Sequence, residues 1–482
     1  MVDALSCFDF FGSFLGMFPF SLAGPPFLAE VNEAEIEPLV LASVLLSLIT
    51  VYLAAKVGGE LCARVNLPPV LGELLGGVVV GVSALHLIVF PEGAGESGSV
   101  LMQLVQSTSS MEPEGILSVF RGESEVVSVL AELGVIILLF EIGLESDLKE
   151  LIRVGPQAAV VAIIGVVVPF ALGTTGLIAL FNIATVPAVF AGAALTATSI
   201  GITAKVLAEI QKLSSKEGQI IIGAAVLDDV LGIIVLAVVA SLAKTGEIEI
   251  ANVAILIVSA AVFLVGAIFI GRLLSPLFVG LVDKMETRGE LIISSLIFAF
   301  VLSYIAATIQ LEAILGAFAA GLILAETPKH KELEEQIIPI ADMLVPVFFV
   351  TVGARTDVGV LNPLDPANRE GLIIASFLVI VAIIGKVVTG FAVFGQPGIN
   401  RLAIGVGMVP RGEVGLVFAG VGSASGALSE SLEAAIIVMV ILTTFVAPPL
   451  LRIVFKDSDS VPPDEEVQVA ASTSSEEQPS AS

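Results

Sequence analysis

Two adjacent aspartates are the residues whose chemistry stands out. Asp228 and Asp229 lie in the sequence GAAVLDDVLG, inside a stretch from residue 218 to residue 243 that carries no other charge. Burying a carboxylate among apolar side chains is costly unless it is paired or has a function. Carboxylate oxygens bind protons and also suit small hard cations. The doublet therefore predicts a site at which a proton and a small cation compete.

A lysine in a second apolar stretch could be the partner of this doublet. Lys386 lies in FLVIVAIIGKVVTGFAVFG, far along the chain from its nearest charged neighbours, Glu370 and Arg401. Adjacent residues on a helix point about 100° apart, so both aspartates cannot face one partner. We expect one aspartate to pair with Lys386 and the other to face a water-filled cavity, so that the three groups titrate as a coupled set. A salt bridge that only fixes helix packing would need a single aspartate.

The composition identifies the setting as a membrane. The 482 residues are 56% hydrophobic and 14% charged, and the mean hydropathy is +1.04. Apolar stretches of about 20 residues, the length of a membrane-crossing helix, recur along the chain. We predict an all-α polytopic membrane protein that is not an enzyme, with no cofactor and no nucleic-acid partner. Cys7 and Cys62 give no indication of a disulfide or a metal site.

Thirteen spans are predicted from hydropathy. They cover residues 38–62, 67–85, 127–144, 157–181, 186–209, 218–243, 253–274, 291–309, 313–325, 337–352, 371–394, 402–422 and 432–453.

The distribution of basic residues predicts the orientation. With the N-terminus outside, fourteen Lys and Arg residues fall on the cytoplasmic side and four on the other side. Cytoplasmic loops retain Lys and Arg, so we expect the C-terminus in the cytoplasm and the protein in the cell (inner) membrane. The formal charge of -26 has two explanations that stay open: adaptation to salt, or acid confined to the C-terminal tail and the loop at residues 91–125.

Two spans contain residues that interrupt helices. Thr198 and Ser199 lie near Gly201 in the fifth span, and Pro410 and Gly412 lie in the twelfth. Broken helices at membrane depth are tolerated where the freed backbone lines a cavity. Each interrupted span is the middle member of a set of three, and the two sets have opposite topology. This pattern is typical of inverted-repeat transporters.

Three further charged residues are predicted to have structural or accessory roles. Arg411 and Glu413 flank the second interruption, where Arg411 pairs either locally with Glu413 or across to the other repeat. Direct ion ligation by this pair is the alternative. Glu73, in LPPVLGELLGG, lies close enough to the end of a span for water to reach it.

Seven ordered motifs resemble the monovalent cation:proton antiporter-2 family, the sodium/proton exchangers related to the Kef potassium-efflux systems. They are LPPVLGELLGG, LLFEIGLE, ATSIGITAKVL, AAVLDDVLG, AILGAFAAGLILAE, PVFFVTVGARTD and GMVPRGEVGLV.

The resemblance implies a fold and an assembly. The fold is the sodium/proton antiporter fold of about 13 transmembrane helices, with inverted repeats and two broken crossing helices. The assembly is a homodimer in the lipid bilayer. The implied division of the chain is an N-terminal signal or interfacial segment, scaffold or dimer helices, core repeat 1, a linking helix, further scaffold or dimer helices, core repeat 2 and a disordered acidic tail. These segments are residues 1–37, 38–152, 153–245, 246–275, 276–369, 370–456 and 457–482.

The resemblance also assigns site residues. Asp229 corresponds to the ion-binding aspartate, at which Na+ binds, and Asp228 corresponds to the partner of Lys386. Thr198 and Ser199 correspond to the break in the first crossing helix. Family members with an Asp-Asp pair and this lysine are typically electrogenic, moving more protons than sodium ions in each cycle.

The predicted function is export of Na+ in exchange for H+ by alternating access, with both ions competing for Asp229. Li+ and K+ are the other candidate substrates, and a potassium/proton antiporter or Kef-like efflux protein is the main alternative. The Pro-Arg of PRGE and the lack of a nucleotide-binding domain weaken the Kef interpretation. Organic-anion symport would predict fewer acids and no buried lysine. An intramembrane aspartyl protease needs its two aspartates on separate helices.

Overall fold

The computed structural model describes residues 33–91, 99–109, 113–245, 250–362, 364, 368–395, 398–424 and 426–458, and these residues form helices and connecting loops. A short 3-10 helix covers Val358–Leu361. The α-helices are α1 (Glu33–Arg64), α2 (Pro69–Val80), α3 (Val100–Ser109), α4 (Pro113–Glu145), α5 (Leu148–Phe181), α6 (Thr185–Ala194), α7 (Ile200–Glu209), α8 (Lys216–Thr245), α9 (Ile250–Val282), α10 (Glu290–Thr308), α11 (Ala313–Ala325), α12 (His330–Ala354), α13 (Asn368–Phe391), α14 (Arg401–Gly407), α15 (Glu413–Ala424) and α16 (Glu430–Ser458).

All thirteen predicted spans are helical. Within the described ranges, eight helices are long and apolar enough to cross a membrane, namely α1, α4, α5, α8, α10, α12, α13 and α16. The shorter α2 and α11 and an apolar stretch of α9 account for three more spans. The last two spans are the pairs α6–α7 and α14–α15, each interrupted between its two helices. The predicted all-α fold class is therefore confirmed.

The two interruptions lie in equivalent helices. Helices α6 and α7 have 10 residues each, so each is about 15 Å long, half of the roughly 30 Å of a hydrocarbon core. Each broken pair stands between two long helices: α5 and α8 in the first case, α13 and α16 in the second. The inverted repeats predicted from sequence are thus α5–α8 and α13–α16.

The segment at residues 91–125, predicted to be a loop, is largely helical where it is described. It contains α3 and the first third of α4. Ile116, Val119 and Phe120 recur at helical spacing and are buried on one face. Hydropathy misses this helix because its other face carries charge. Glu123 continues the buried face, with only 4% of its surface exposed.

The helices pack most densely in two groups. In the first group, α4 packs against α1, α11 and α12, and α2 packs against α1 and α12. In the second group, α5 packs against α8 and α13, and α13 packs against α14 and α16. Contacts between the groups are sparser and run mainly from α7 to α4 and α2. The division into scaffold and core stays a prediction, and this packing agrees with it.

The two terminal segments fall mostly outside the described residues. Helix α1 already begins at Glu33, inside the predicted N-terminal segment, and residues 1–32 are outside the description. Helix α16 ends at Ser458, and residues 459–482 of the predicted acidic tail are also outside it.

Candidate functional site

The two helix breaks cross each other in the interior of the second group. Residues 195–199 separate α6 from α7, and residues 408–412 separate α14 from α15. The Ser199 N–H donates to the Pro410 carbonyl at 2.9 Å, and the Thr198 hydroxyl donates to the Met408 carbonyl at 3.2 Å. These bonds satisfy backbone groups that the interrupted helices leave free, as a buried site requires. Gly412 permits the approach, because a Cβ there would lie 2.8 Å from the Ser199 hydroxyl.

Arg411 lies in the second helix break, and its side chain holds the backbone of the first. It has no exposed surface, and its guanidinium donates to the carbonyls of Leu195, Thr196 and Ala197. The last carbonyls of a helix carry the negative end of its dipole and lack partners within the helix. Arg411 therefore places its positive charge just beyond the C-terminal end of α6, at the carbonyls of the C-cap residue Leu195 and the two residues after it. These contacts reach across to the other repeat, and the predicted local pairing with Glu413 involves a side chain outside the described residues.

A buried ion pair joins α8, the last helix of one repeat, to α13, the first helix of the other. Lys386 Nζ on α13 lies 3.0 Å from Asp228 Oδ2 and 3.3 Å from Asp228 Oδ1 on α8. Both side chains are fully buried. Asp229 keeps 6% of its surface exposed. The structure thus pairs Asp228 with Lys386 and leaves Asp229 as the more accessible aspartate.

The same face of α8 meets the first helix break. Gly232 lies one helical turn beyond Asp228, and its position is within van der Waals contact of Ala197. Residues four apart share a helix face. Asp228 therefore lies on the side of α8 that faces the helix crossing. The α7 and α15 N-termini begin at this crossing, and the positive end of a helix dipole favours nearby negative charge.

A glycine on α5 makes room for the Lys386 ammonium group. A Cβ at Gly165 would lie 3.2 Å from Lys386 Nζ and 3.5 Å from Thr389 Cγ2. The Thr389 hydroxyl donates to the Lys386 carbonyl at 2.6 Å, one helical turn along α13. Lys386 is thus held between α5 and α8 by close packing as well as by charge.

Gly165→Val should displace Lys386 from Asp228. Its methyl groups would occupy the volume of the ammonium group, and overpacking of this kind costs about 1–3 kcal/mol. We expect a lower melting temperature in detergent and weaker cation exchange, whereas Gly165→Ala should need only a small shift. Gly155→Val is the matched control, because nothing lies within 4 Å of a Cβ at Gly155 on the same helix. Equal effects of the two valine variants would contradict this interpretation.

The remaining predicted residues occupy different surroundings. Glu73 on α2 has Lys56, Lys205 and Asp342 as its charged neighbours and is not brought to the ion pair. Glu413 is the first residue of α15, but its side chain is outside the description. The assignments of Glu73 and Glu413 as accessory residues stay predictions.

The two repeats share a fold but not their polar residues. Counted from the start of each helix, Asp228 and Asp229 in α8 correspond to Leu442 and Thr443 in α16, immediately before Thr444. The Thr444 hydroxyl donates to the Arg411 carbonyl at 2.5 Å, so this helix supports the second break. The two buried aspartates therefore lie in one repeat, and the other supplies Lys386 and Arg411.

This combination of crossing helix breaks and a buried ion pair can be compared with known proteins. Residues 49–457 match the family model described as sodium/hydrogen exchanger, transmembrane. The chain belongs to this sodium/hydrogen exchanger family. The predicted resemblance to cation:proton antiporters is confirmed, and the exchanger is a multi-pass membrane protein.

Two relatives of the exchanger are informative. It is 70% identical over 429 residues to the high-affinity Na+/H+ antiporter NhaS3 of Synechocystis sp., covering 89% of this chain and 93% of that protein. This chain is also 32% identical over 414 residues to the Na+/H+-K+ antiporter GerN of Bacillus cereus, covering 85% of this chain and 95% of that protein.

A solved structure supports the fold of the exchanger. The sodium proton antiporter MjNhaP1 of Methanocaldococcus jannaschii superposes with a TM-score of 0.57 at 15% identity, covering 87% of this chain and 97% of that one. At this identity the match establishes the fold alone.

Sequence reasoning missed two features of the exchanger, a hydrogen bond from Thr203 and the packing position of Gly165. The Thr203 hydroxyl donates to the Gly407 carbonyl at 2.9 Å and adds a further bond between the two broken helices. Its place in a segment rich in hydroxyl residues was a signal for it. Gly165 gave no signal, because nothing in the sequence near it indicates which helix packs against it.

Proposed function

We propose that the protein exports Na+ in exchange for H+ by alternating access. The observation that carries this proposal is the buried Asp228–Lys386 ion pair, 3.0 Å long, next to the more accessible Asp229. The printed function of the relative that shares 70% identity, a high-affinity Na+/H+ antiporter, supports the same substrates. Asp229 is the proposed ion-binding residue, with Asp228 beside it and Thr198 and Ser199 at the helix crossing.

The proposed cycle exchanges one sodium ion for two protons. When the site faces the cytoplasm, one proton leaves Asp229 and one leaves Lys386, and Na+ binds to the two carboxylates. When the site faces outside, Na+ leaves and two protons return to the same groups. One net positive charge then moves inward in each cycle, which is electrogenic exchange. Low pH keeps the site protonated, so Na+ binding weakens as the pH falls.

The site is proposed to open to each side of the membrane in turn as the core moves relative to the scaffold. The core is the pair of repeats α5–α8 and α13–α16, and the scaffold is the other densely packed group. The sparse packing between these groups supports a sliding interface. The N-terminus is placed outside, the C-terminus in the cytoplasm, and the protein in the inner membrane as a homodimer.

Sodium should dissipate a pH gradient in vesicles that contain the purified protein. With acid-loaded vesicles and a fluorescent pH indicator, external Na+ should restore fluorescence, because protons leave as Na+ enters. The rate should fall as the outside pH is lowered, since protons then compete for Asp229. Li+ and K+ are measured in the same way at equal ionic strength.

The ion comparison separates sodium/proton exchange from the alternative. Potassium/proton exchange stays a candidate because the name of GerN includes K+ as well as Na+. A response confined to K+ would overturn the substrate assignment, and no response to any of the three ions would overturn the function. Protein-free vesicles give the background leak.

A further inference from the structure

One hydrogen bond joins the two groups of helices at the end of α7. Glu209, the last residue of α7, accepts a hydrogen bond from the Val70 N–H at the start of α2, with an Oε1 to N distance of 3.2 Å. The first N–H groups of a helix have no partner within it. Helix α2 begins after Pro68, which offers no side-chain cap. A side chain of the proposed core therefore caps a helix of the proposed scaffold.

The surroundings of Glu209 are charged and come from several helices. Lys205 lies on α7 itself, Arg452 on α16 and Glu73 on α2, and the Cys62 thiol approaches from α1. On α4, Glu141 and Glu145 face Lys205, and on α8 Glu217 accepts from the Asn400 N–H instead. A negative charge at a helix N-terminus is stabilised by the helix dipole. The Glu209 carboxyl group thus bonds across the interface within a cluster that holds charges of both signs.

We propose that Glu209 is a positioning residue that acts as a latch between core and scaffold. This inference rests on the proposed movement of the core. In the proposed orientation the Glu209–Val70 contact lies on the cytoplasmic side, where α2 begins and α7 ends. A hydrogen bond between these two helix ends exists while the cytoplasmic side is closed, and it must break or be exchanged when the site opens inward. Glu209 therefore stabilises the state that is closed to the cytoplasm.

Removing the latch should shift the balance of the two access states. Loss of one hydrogen bond of ordinary strength changes an equilibrium by up to about tenfold. The inward-open state would gain population, and the apparent KM for Na+ on the cytoplasmic side would fall by up to about the same factor, because a ligand binds more tightly when its competent state is more populated. The KM on the outer side should not improve.

The native Cys62 reports on the latch without any transport. It lies within electrostatic range of Glu209 and has 7% of its surface exposed. In a Cys7→Ser background, the rate of Cys62 labelling by N-ethylmaleimide is measured in the membrane. We expect Glu209→Ala to raise this rate about tenfold. Glu209→Gln keeps an acceptor oxygen but cannot ionise, and its labelling rate should lie between those of wild type and Glu209→Ala.

A matched control and a second readout complete the test. Glu60→Gln removes an exposed carboxylate near the same end of α1, where Glu60 pairs with Arg64, and should leave the labelling rate unchanged. Unchanged labelling in both Glu209 variants would overturn the latch. Faster labelling that comes with a lower melting temperature and an unchanged cytoplasmic KM would also overturn the latch. That combination indicates that Glu209 has only a packing role. If wild-type protein fails to transport Na+, the proposed function fails. Faster Cys62 labelling at an unchanged melting temperature would then still support the latch, and unchanged labelling would overturn it.

Discussion

Asp229→Asn is expected to abolish cation/proton exchange while the protein stays folded. The amide keeps the size of the side chain but cannot exchange a proton or offer a charged oxygen to Na+. Asp229 is the aspartate outside the Lys386 pair and the more exposed of the two. Its substitution therefore leaves the buried ion pair intact. The measurement is the sodium response of acid-loaded vesicles, together with elution from a size-exclusion column.

Sodium binding provides a readout that is independent of turnover. A ligand that binds only the folded state stabilises it by about 2.7 kcal/mol at roughly one hundred times its dissociation constant. Wild-type protein should melt at a higher temperature in saturating Na+ than in choline, and Asp229→Asn should lose this difference. Transport that persists in Asp229→Asn, or an undiminished sodium-dependent stabilisation, would remove Asp229 from the ion site.

Lys386→Gln is expected to reduce both stability and the electrical component of transport. It leaves the Asp228 carboxylate buried without its cation, and breaking a buried ion pair in this way costs about 3–5 kcal/mol. It also removes the second exchangeable proton of the proposed cycle. The measurements are thermal unfolding in detergent and currents on a solid-supported membrane after a sodium step.

A double variant separates the two consequences. In Asp228→Asn with Lys386→Gln, neither charge remains, and replacing both members of a buried pair is often close to neutral for stability. We expect the melting temperature to recover most of its loss while the current stays reduced. If the current in either variant matches that of wild type, Lys386 does not set the stoichiometry.

The membrane fold could be predicted from sequence because hydropathy is a local property. Each of the thirteen spans is an apolar stretch. In lipid, such a stretch can satisfy the hydrogen bonds of its backbone N–H and C=O groups by forming a helix. The interruptions were equally local: Thr198 and Ser199 in one span, Pro410 and Gly412 in the other. The helix at residues 113–125 was missed because hydropathy is averaged over a local stretch, and the charged face of this helix lowers that average.

The site could be predicted in part. Asp228, Asp229 and Lys386 stood out because charge is rare in apolar helices, and residue chemistry alone predicted that one aspartate would pair with the lysine. It did not decide which one, and only the family resemblance selected Asp228. The choice depends on how α8 is rotated against α13, and that rotation is set by packing between segments distant in sequence.

The sequence by itself determined the spans, the two broken helices and the presence of opposite charges at membrane depth, because each depends on residue types within one helix. The tertiary structure decided which groups meet: Lys386 with Asp228, Arg411 with the carbonyls of the first helix break, and Glu209 with the start of α2. These partners lie on different helices, and their contact depends on the rotation and depth of each helix in the packed bundle. No local pattern in the chain encodes those two quantities.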